Sequence, residues 1–151
     1  MYRRLVATVA VSASFGLPTL AVAGIGAHST WYDASVKNSA GVETGHVEIA
    51  YQRNKHVAEI LGQLRCLGTI KKGVNKGQAA PFDDYPLYVR NNQIHFRGKT
   101  HNYPGSPNAS AARKIRISLT LRPHVATGTI AFPGTKCGAI KIVGPAVRIN
   151  P

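Results

Sequence analysis

Cationic side chains recur at every second position in two segments of the chain, a spacing that places them on one side of an extended strand. In "QIHFRGKTH" (93–101) the alternating set is His95, Arg97, Lys99 and His101. In "RKIRISLTLRP" (113–123) it includes Lys114, Arg116 and Arg122. Because successive side chains of a strand point to opposite faces, each segment is predicted to turn a positive face to solvent. Such a face can bind anionic polymers, and the alternative is an ordinary solvated strand face.

Two glutamates are candidates for acid–base chemistry. The segments 45–52 and 56–66 alternate and are predicted to form a hairpin in which Glu48 lies opposite Glu59. Paired carboxyl groups can share a proton, bind a cation or hydrolyse a glycosidic bond. Basic residues near the turn could neutralise them, so a pair without chemistry is the favoured interpretation. A glycoside hydrolase is the least favoured functional hypothesis.

Aromatic side chains support a different kind of binding. Trp31 is the only tryptophan, and Tyr85 and Tyr103 fall in segments rich in Gly, Pro and Asn. Together they could form platforms on which sugar rings stack, so a secreted carbohydrate-binding domain is the alternative hypothesis. Nucleic acid is a less favoured ligand, because most other aromatic residues fall on the apolar side of the predicted strands.

Other site chemistries lack support. His95 and His101 lie six residues apart on one strand, about 20 Å, which is too far to share a zinc ion. Asp83 and Asp84 are adjacent, but the further oxygen ligands of a calcium loop are missing. The chain has neither a G-x-S-x-G motif nor a phosphate-binding loop. We therefore predict no metal site, no cofactor and no enzymatic activity.

The elements that carry these residues are predicted to be strands. Apolar and polar residues alternate between Gly, Pro, Asn and Ser, which predicts an all-β fold of about seven strands, an antiparallel β-sandwich or a small barrel. The predicted strands are 45–52, 56–66, 86–90, 93–100, 113–123, 125–134 and 137–149. Asn91 and Asn92 tolerate positive φ and therefore predict a two-residue turn. The strands 86–90 and 93–100 on either side of it are predicted to pair with each other as a hairpin. Residues 71–86 and 102–112 are predicted to be polar loops.

The N-terminus and the cysteines predict export. Residues 1–23 have a basic start, an apolar run shorter than the roughly 20 residues of a membrane span, and small residues before the cleavage site. This pattern predicts a signal peptide. Residues 24–44 are then an extension or a first strand, and 45–151 form the domain. In an exported protein two cysteines predict one disulfide, Cys66–Cys137.

The charge is strongly positive. The chain has 19 Lys and Arg against six Asp and Glu, a net charge of +13. Removal of residues 1–23 takes away two arginines and leaves +11. The cations are spread along the sequence. The charge therefore predicts affinity for anionic extracellular polymers and a role in solubility with equal weight.

Two segments resemble a known group of proteins. "NNQIHFRG" (91–98) and "HVATGTIAFPGTKCGAIKI" (124–142), together with Cys66, are similar to parts of small exported actinobacterial proteins without assigned function. Asn92 replaces the glycine usual in their turn. The resemblance covers roughly residues 45 to 149. It implies a β-sandwich and a disulfide, and it implies no catalytic or ligand-binding residue.

Charge, export signal and strand pattern together predict the function. We expect a monomeric, secreted, non-enzymatic protein, free or associated with the cell wall. We expect it to bind anionic polymers, such as acidic polysaccharides, through the cationic strand faces. No transmembrane segment is expected after signal cleavage.

Overall fold

The computed structural model describes residues 28–37, 40–100 and 112–149, which form eight antiparallel strands and one short 3-10 turn. The strands are β1 Ser29–Lys37, β2 Glu43–Gln52, β3 Val57–Thr69, β4 Ala79–Tyr88, β5 Gln93–Lys99, β6 Lys114–Leu121, β7 Val125–Phe132 and β8 Gly138–Ile149. They form a single sheet in the order β4-β3-β2-β1-β8-β7-β6-β5. The sheet is nearly closed into a barrel. The predicted all-β antiparallel class is confirmed, and of the two predicted architectures the structure has the small barrel.

Strand alternation separates the core from the surface. β6 is the clearest case, because its four apolar residues are at most 3% exposed while Lys114 and Arg116 on the same strand are exposed. Phe82 and Phe132 meet edge to face inside the barrel, with ring centroids 5.0 Å apart. The interior is thus filled with side chains, as in other barrels of about eight strands.

Two strands lie wholly or partly outside the seven predicted strands. β1 lies within 24–44, the segment expected to be an extension or a first strand, and occupies the middle of the sheet, between β2 and β8. β4 begins at Ala79, so the prediction of a loop over all of 71–86 is wrong. Proline and aspartate disfavour strands, which explains the error. β4 is nevertheless an edge strand, where Pro81 and Pro86 can be accommodated.

The turn at Asn91 and Asn92 is confirmed, but the hairpin is not. Both residues have positive φ, 50° and 59°, and Arg90 and Gln93 bond to each other through their backbones. Pairing stops at this bridge, so the predicted continuation of the ladder is wrong. β4 pairs with β3, and β5 pairs with β6. In each case the ladder lies on the side of the strand that faces away from the turn. The two strands therefore form the open seam of the barrel.

The turn between β2 and β3 is two residues longer than predicted. A 3-10 turn precedes His56, which is left-handed with φ 52°. Glu48 consequently lies opposite Leu61. Glu59 lies opposite Ala50, so the predicted Glu48–Glu59 pair is wrong. A shift of two residues keeps every side chain on the same face of the sheet.

The predicted disulfide is confirmed. Cys66 and Cys137 are bonded, with Cα atoms 4.9 Å apart. The bond joins β3 to the turn before β8, and these strands are separated in the sheet by β2 and β1. At the same end of the barrel, the Arg113 guanidinium donates a 2.6 Å hydrogen bond to the Leu67 carbonyl. Both links cross the barrel instead of following the sheet.

Two further predictions lie outside the described residues. They are the signal peptide at 1–23 and nearly all of the loop at 102–112.

Candidate functional site

Four cations are brought together on the outer surface of β5 and β6. Arg97 lies directly opposite Arg116 and Lys99 directly opposite Lys114, and all four are exposed. We call these four residues the cationic face. Neighbouring strands are about 4.8 Å apart and alternate residues about 7 Å apart along a strand, so one anionic chain can reach all four. Within the described part of the chain, none of them forms an ion pair.

The other predicted cationic residues are placed differently. His95 lies two residues before Arg97 on the same outer side of β5. Its Nε2 is 3.2 Å from the Gln93 side-chain oxygen, and its Nδ1 is 3.4 Å from the Ser118 hydroxyl oxygen. Arg122 follows the end of β6, six residues or about 20 Å from Arg116, and is not part of the cationic face. His101 lies outside the described residues.

Charge is segregated between two halves of the barrel, which the sequence analysis missed. All six carboxylate residues are in β1 to β4: Asp33, Glu43, Glu48, Glu59, Asp83 and Asp84. No acidic residue follows Asp84, whereas ten of the 19 Lys and Arg do. The cations are spread over both halves, as the sequence indicates, and the segregation comes from the acidic residues. The segregation could have been found in the sequence, because Asp84 is the last acidic residue of the chain.

His46 is the centre of an ion-pair network on β1 and β2. Its Nδ1 is 3.2 Å from an Asp33 oxygen and its Nε2 is 3.3 Å from a Glu48 oxygen. The hydrogen bond to Glu48 raises the pKa of His46; burial opposes the rise and the charge of Asp33 adds to it. The same hydrogen bond lowers the pKa of Glu48. Glu48 is therefore the partner of His46 and not of Glu59.

Glu59 has a different environment. It points to the outer side of β3, yet it is only 7% exposed. Burial, together with the negative charge of Asp83, raises its pKa to about 7. Since Glu48 is engaged by His46 while Glu59 faces Ala50, the geometry gives no support to a glycoside hydrolase that uses the two glutamates.

The predicted aromatic residues are partly brought together. Trp31 is on the outer side of β1, half-buried, and its Nε1 donates a 3.2 Å hydrogen bond to the Ser29 hydroxyl. Tyr85, on β4, is 44% exposed. Three strand spacings, about 14 Å, separate their backbones. Tyr103 lies outside the described residues.

In the part of the chain that the structure describes, no three His, Cys, Asp or Glu residues are grouped to hold a metal ion. No helix there has the length and apolar character needed to cross a membrane. Comparisons with protein-family models, curated proteins and solved structures give no match.

Proposed function

We propose that this is an exported, non-enzymatic protein that binds anionic extracellular or cell-wall polymers through its cationic face. The observation that carries the proposal is the pair of like-charge contacts, Arg97 with Arg116 and Lys99 with Lys114. Like charges directly opposite each other on a sheet are destabilising. A polyanion bound across β5 and β6 would convert this repulsion into attraction.

Protection of a sheet edge is the alternative explanation for such charges. Lys and Arg on an edge strand prevent aggregation through unpaired backbone groups, and β5 is an edge strand. β6 is not, because β5 and β7 pair with it on either side. Edge protection therefore does not account for Lys114 and Arg116.

The surroundings of the cationic face favour a polymer of phosphate or carboxylate groups over nucleic acid. Single-stranded nucleic acids are bound with aromatic side chains on which the bases stack. On the described outer face of β5 to β8 there is no such side chain. Phe96 and Phe132 belong to the inner side, and Ser118, Thr120, Thr127 and Thr129 cover the centre of the outer face. These hydroxyl groups can hydrogen-bond to a polyol or a sugar.

The experiment is a binding assay of the purified protein against polyglycerol phosphate, polygalacturonate and a neutral glucan. The two salt concentrations are about 0.01 M and about 1 M, between which the Debye length falls from about 30 Å to about 3 Å. We expect binding to the anionic polymers only, with loss at high salt. Arg116→Glu should weaken it at least about tenfold, as expected when charge pairs worth more than about 1.4 kcal/mol are lost.

The control is Lys72→Glu, which changes the net charge equally at an exposed position in the loop between β3 and β4. It should leave the affinity nearly unchanged. An equal effect of the two variants would show that overall charge and not the cationic face is responsible, and the proposal would then fail.

A further inference from the structure

The register places a second group of polar and aromatic side chains on the opposite half of the barrel. Trp31 on β1 lies opposite Ala50 on β2, and Ala50 lies opposite Glu59 on β3. The ladder between β3 and β4 is irregular at this point, so Tyr85 and Pro86 together face Glu59. The small Ala50 side chain thus lies in the sheet between the larger side chains of Trp31 and Tyr85, and we call the outer surface around it the depression.

Polar side chains around this depression are buried although they point outward. Gln52 is 4% exposed and Glu59 is 7% exposed. The Gln52 side-chain oxygen accepts no hydrogen bond from the described part of the protein. A buried acceptor without a donor costs about 1–3 kcal/mol, and such groups are rare unless they have a function. The Gln52 oxygen and the charged Glu59 carboxylate are both acceptors, so a ligand that carries hydrogen-bond donors would satisfy them.

The charges around Glu59 indicate the kind of donor. The groups that face it are Asp83 and Tyr85 from β4 and Glu48 from β2, with Arg148 from β8 on the far side of Trp31. Burial and the negative charge of Asp83 both disfavour the charged form of Glu59. A positive ligand would stabilise that form, and aromatic faces attract organic cations.

We propose that this depression, bounded by Trp31, Gln52, Glu59 and Tyr85, is a binding site for a protonated primary amine. The ammonium group would donate hydrogen bonds to the Glu59 carboxylate and the Gln52 amide oxygen. The carbon chain of the ligand would lie against the aromatic rings. This site is distinct from the cationic face, so either can be present without the other.

The test uses Trp31 as the reporter, since it is the only tryptophan of the chain. The probe is Nα-acetyl-lysine amide, whose ammonium group stays protonated at neutral pH because its pKa is about 10.4. The matched control probe is the same compound acetylated on its ε-nitrogen. We expect the amine to shift the Trp31 fluorescence in a saturable way and the acetylated compound to bind at least tenfold more weakly, about the effect of losing one charge-assisted hydrogen bond.

Variants connect the signal to the site. Glu59→Gln keeps the shape of the side chain and should weaken amine binding at least about tenfold, because a charge-assisted hydrogen bond is lost. Tyr85→Ala, at an exposed position, should weaken it by a smaller factor. Glu43→Gln removes an acid at the start of β2, away from the depression, and should have no effect. Equal losses in Glu59→Gln and Glu43→Gln would overturn the proposal.

The pH dependence is a second measurement. Since the pKa of Glu59 is about 7, its charged fraction rises from about a tenth at pH 6 to about nine tenths at pH 8. Amine affinity should rise by up to about ninefold over this range, and the rise should disappear in Glu59→Gln. Equal binding of both probes, or binding of a neutral N-acetylglucosamine oligomer with the same dependence on Glu59, would overturn the assignment to an amine. If the amine probe causes no change in Trp31 fluorescence, the proposal is also overturned.

Discussion

His46 lies between two carboxylates, and this position determines the pH range in which it stabilises the fold. Its pKa in the folded protein is above its ordinary value of 6.5, so its contribution is complete below pH 6.5 and is lost as the pH rises through the folded value. The pKa of Glu48 is below its ordinary value of 4.5, so its contribution is complete above pH 4.5 and is lost on acidification. The ion pair therefore acts fully between pH 4.5 and 6.5.

We expect His46→Gln to lower the free energy of unfolding by about 0.5 kcal/mol at pH 5.5, the value typical of a partly exposed ion pair. At pH 8.5 the difference from the wild type should be smaller. Urea unfolding at both pH values measures it. The control is His95→Gln, since the His95 ring contacts Gln93 and Ser118 and no carboxylate. A larger effect at pH 8.5 than at pH 5.5 would contradict the assignment.

β5 and β6 show how one pair of strands can combine repulsion and attraction. Their outer positions pair like charges, while their inner positions pair Ile94 with Leu119 and Phe96 with Ile117. Apolar cross-strand pairs contribute roughly 0.2–1 kcal/mol each. The packed side of the ladder therefore holds the charged side in place, and the cationic face does not depend on a flexible loop.

The close approach of β6 and β7 depends on one glycine. Gly128 has φ 147°, and a Cβ atom there would overlap the Ser118 carbonyl oxygen. We expect Gly128→Ala to lower the free energy of unfolding by about 3 kcal/mol, since the two strands would have to separate. Gly134→Ala is the control: φ is 80° but nothing lies within 4 Å. It should cost about 1 kcal/mol for the left-handed backbone alone. Urea unfolding compares them, and equal losses would exclude the steric explanation.

At the scale of the whole molecule, the barrel has two electrically different halves. β1 to β4 contain every acidic side chain, together with the His46 network, whereas β5 to β8 contain none. Field lines from the positive half extend into solvent and attract polyanions. The segregation would orient the protein on an anionic surface, with the depression around Ala50 directed away from that surface.

The Cys66–Cys137 disulfide also stabilises the barrel as a whole. Cys66 and Cys137 are 71 residues apart in sequence, so the bond closes a long loop in the unfolded chain. We expect the double variant Cys66→Ser, Cys137→Ser to lower the free energy of unfolding by about 4 kcal/mol on the chain-entropy model. Urea unfolding of the oxidised wild type and the variant measures it. A loss below about 1 kcal/mol would mean that the reduced chain retains structure when unfolded.

The side of the sheet on which each residue lies could be predicted from the sequence. Ile115, Ile117 and Leu119 are buried, while Arg97 and Arg116 are exposed, because the two-residue period of a strand is a local property of the backbone. The turn at Asn91 and Asn92 and the disulfide were predictable for similar reasons, since left-handed propensity and cysteine number are read from the chain itself.

Which residues share a site was decided by the tertiary structure. The partners of Glu48 and Glu59 depended on a turn two residues longer than the simplest one. The place of Trp31 beside Ala50 depended on β1 entering the middle of the sheet. Lys99 and Lys114 became neighbours because β5 and β6 pair across a 14-residue connection. Such pairings follow from packing and closure of the barrel as a whole, which no local sequence pattern specifies.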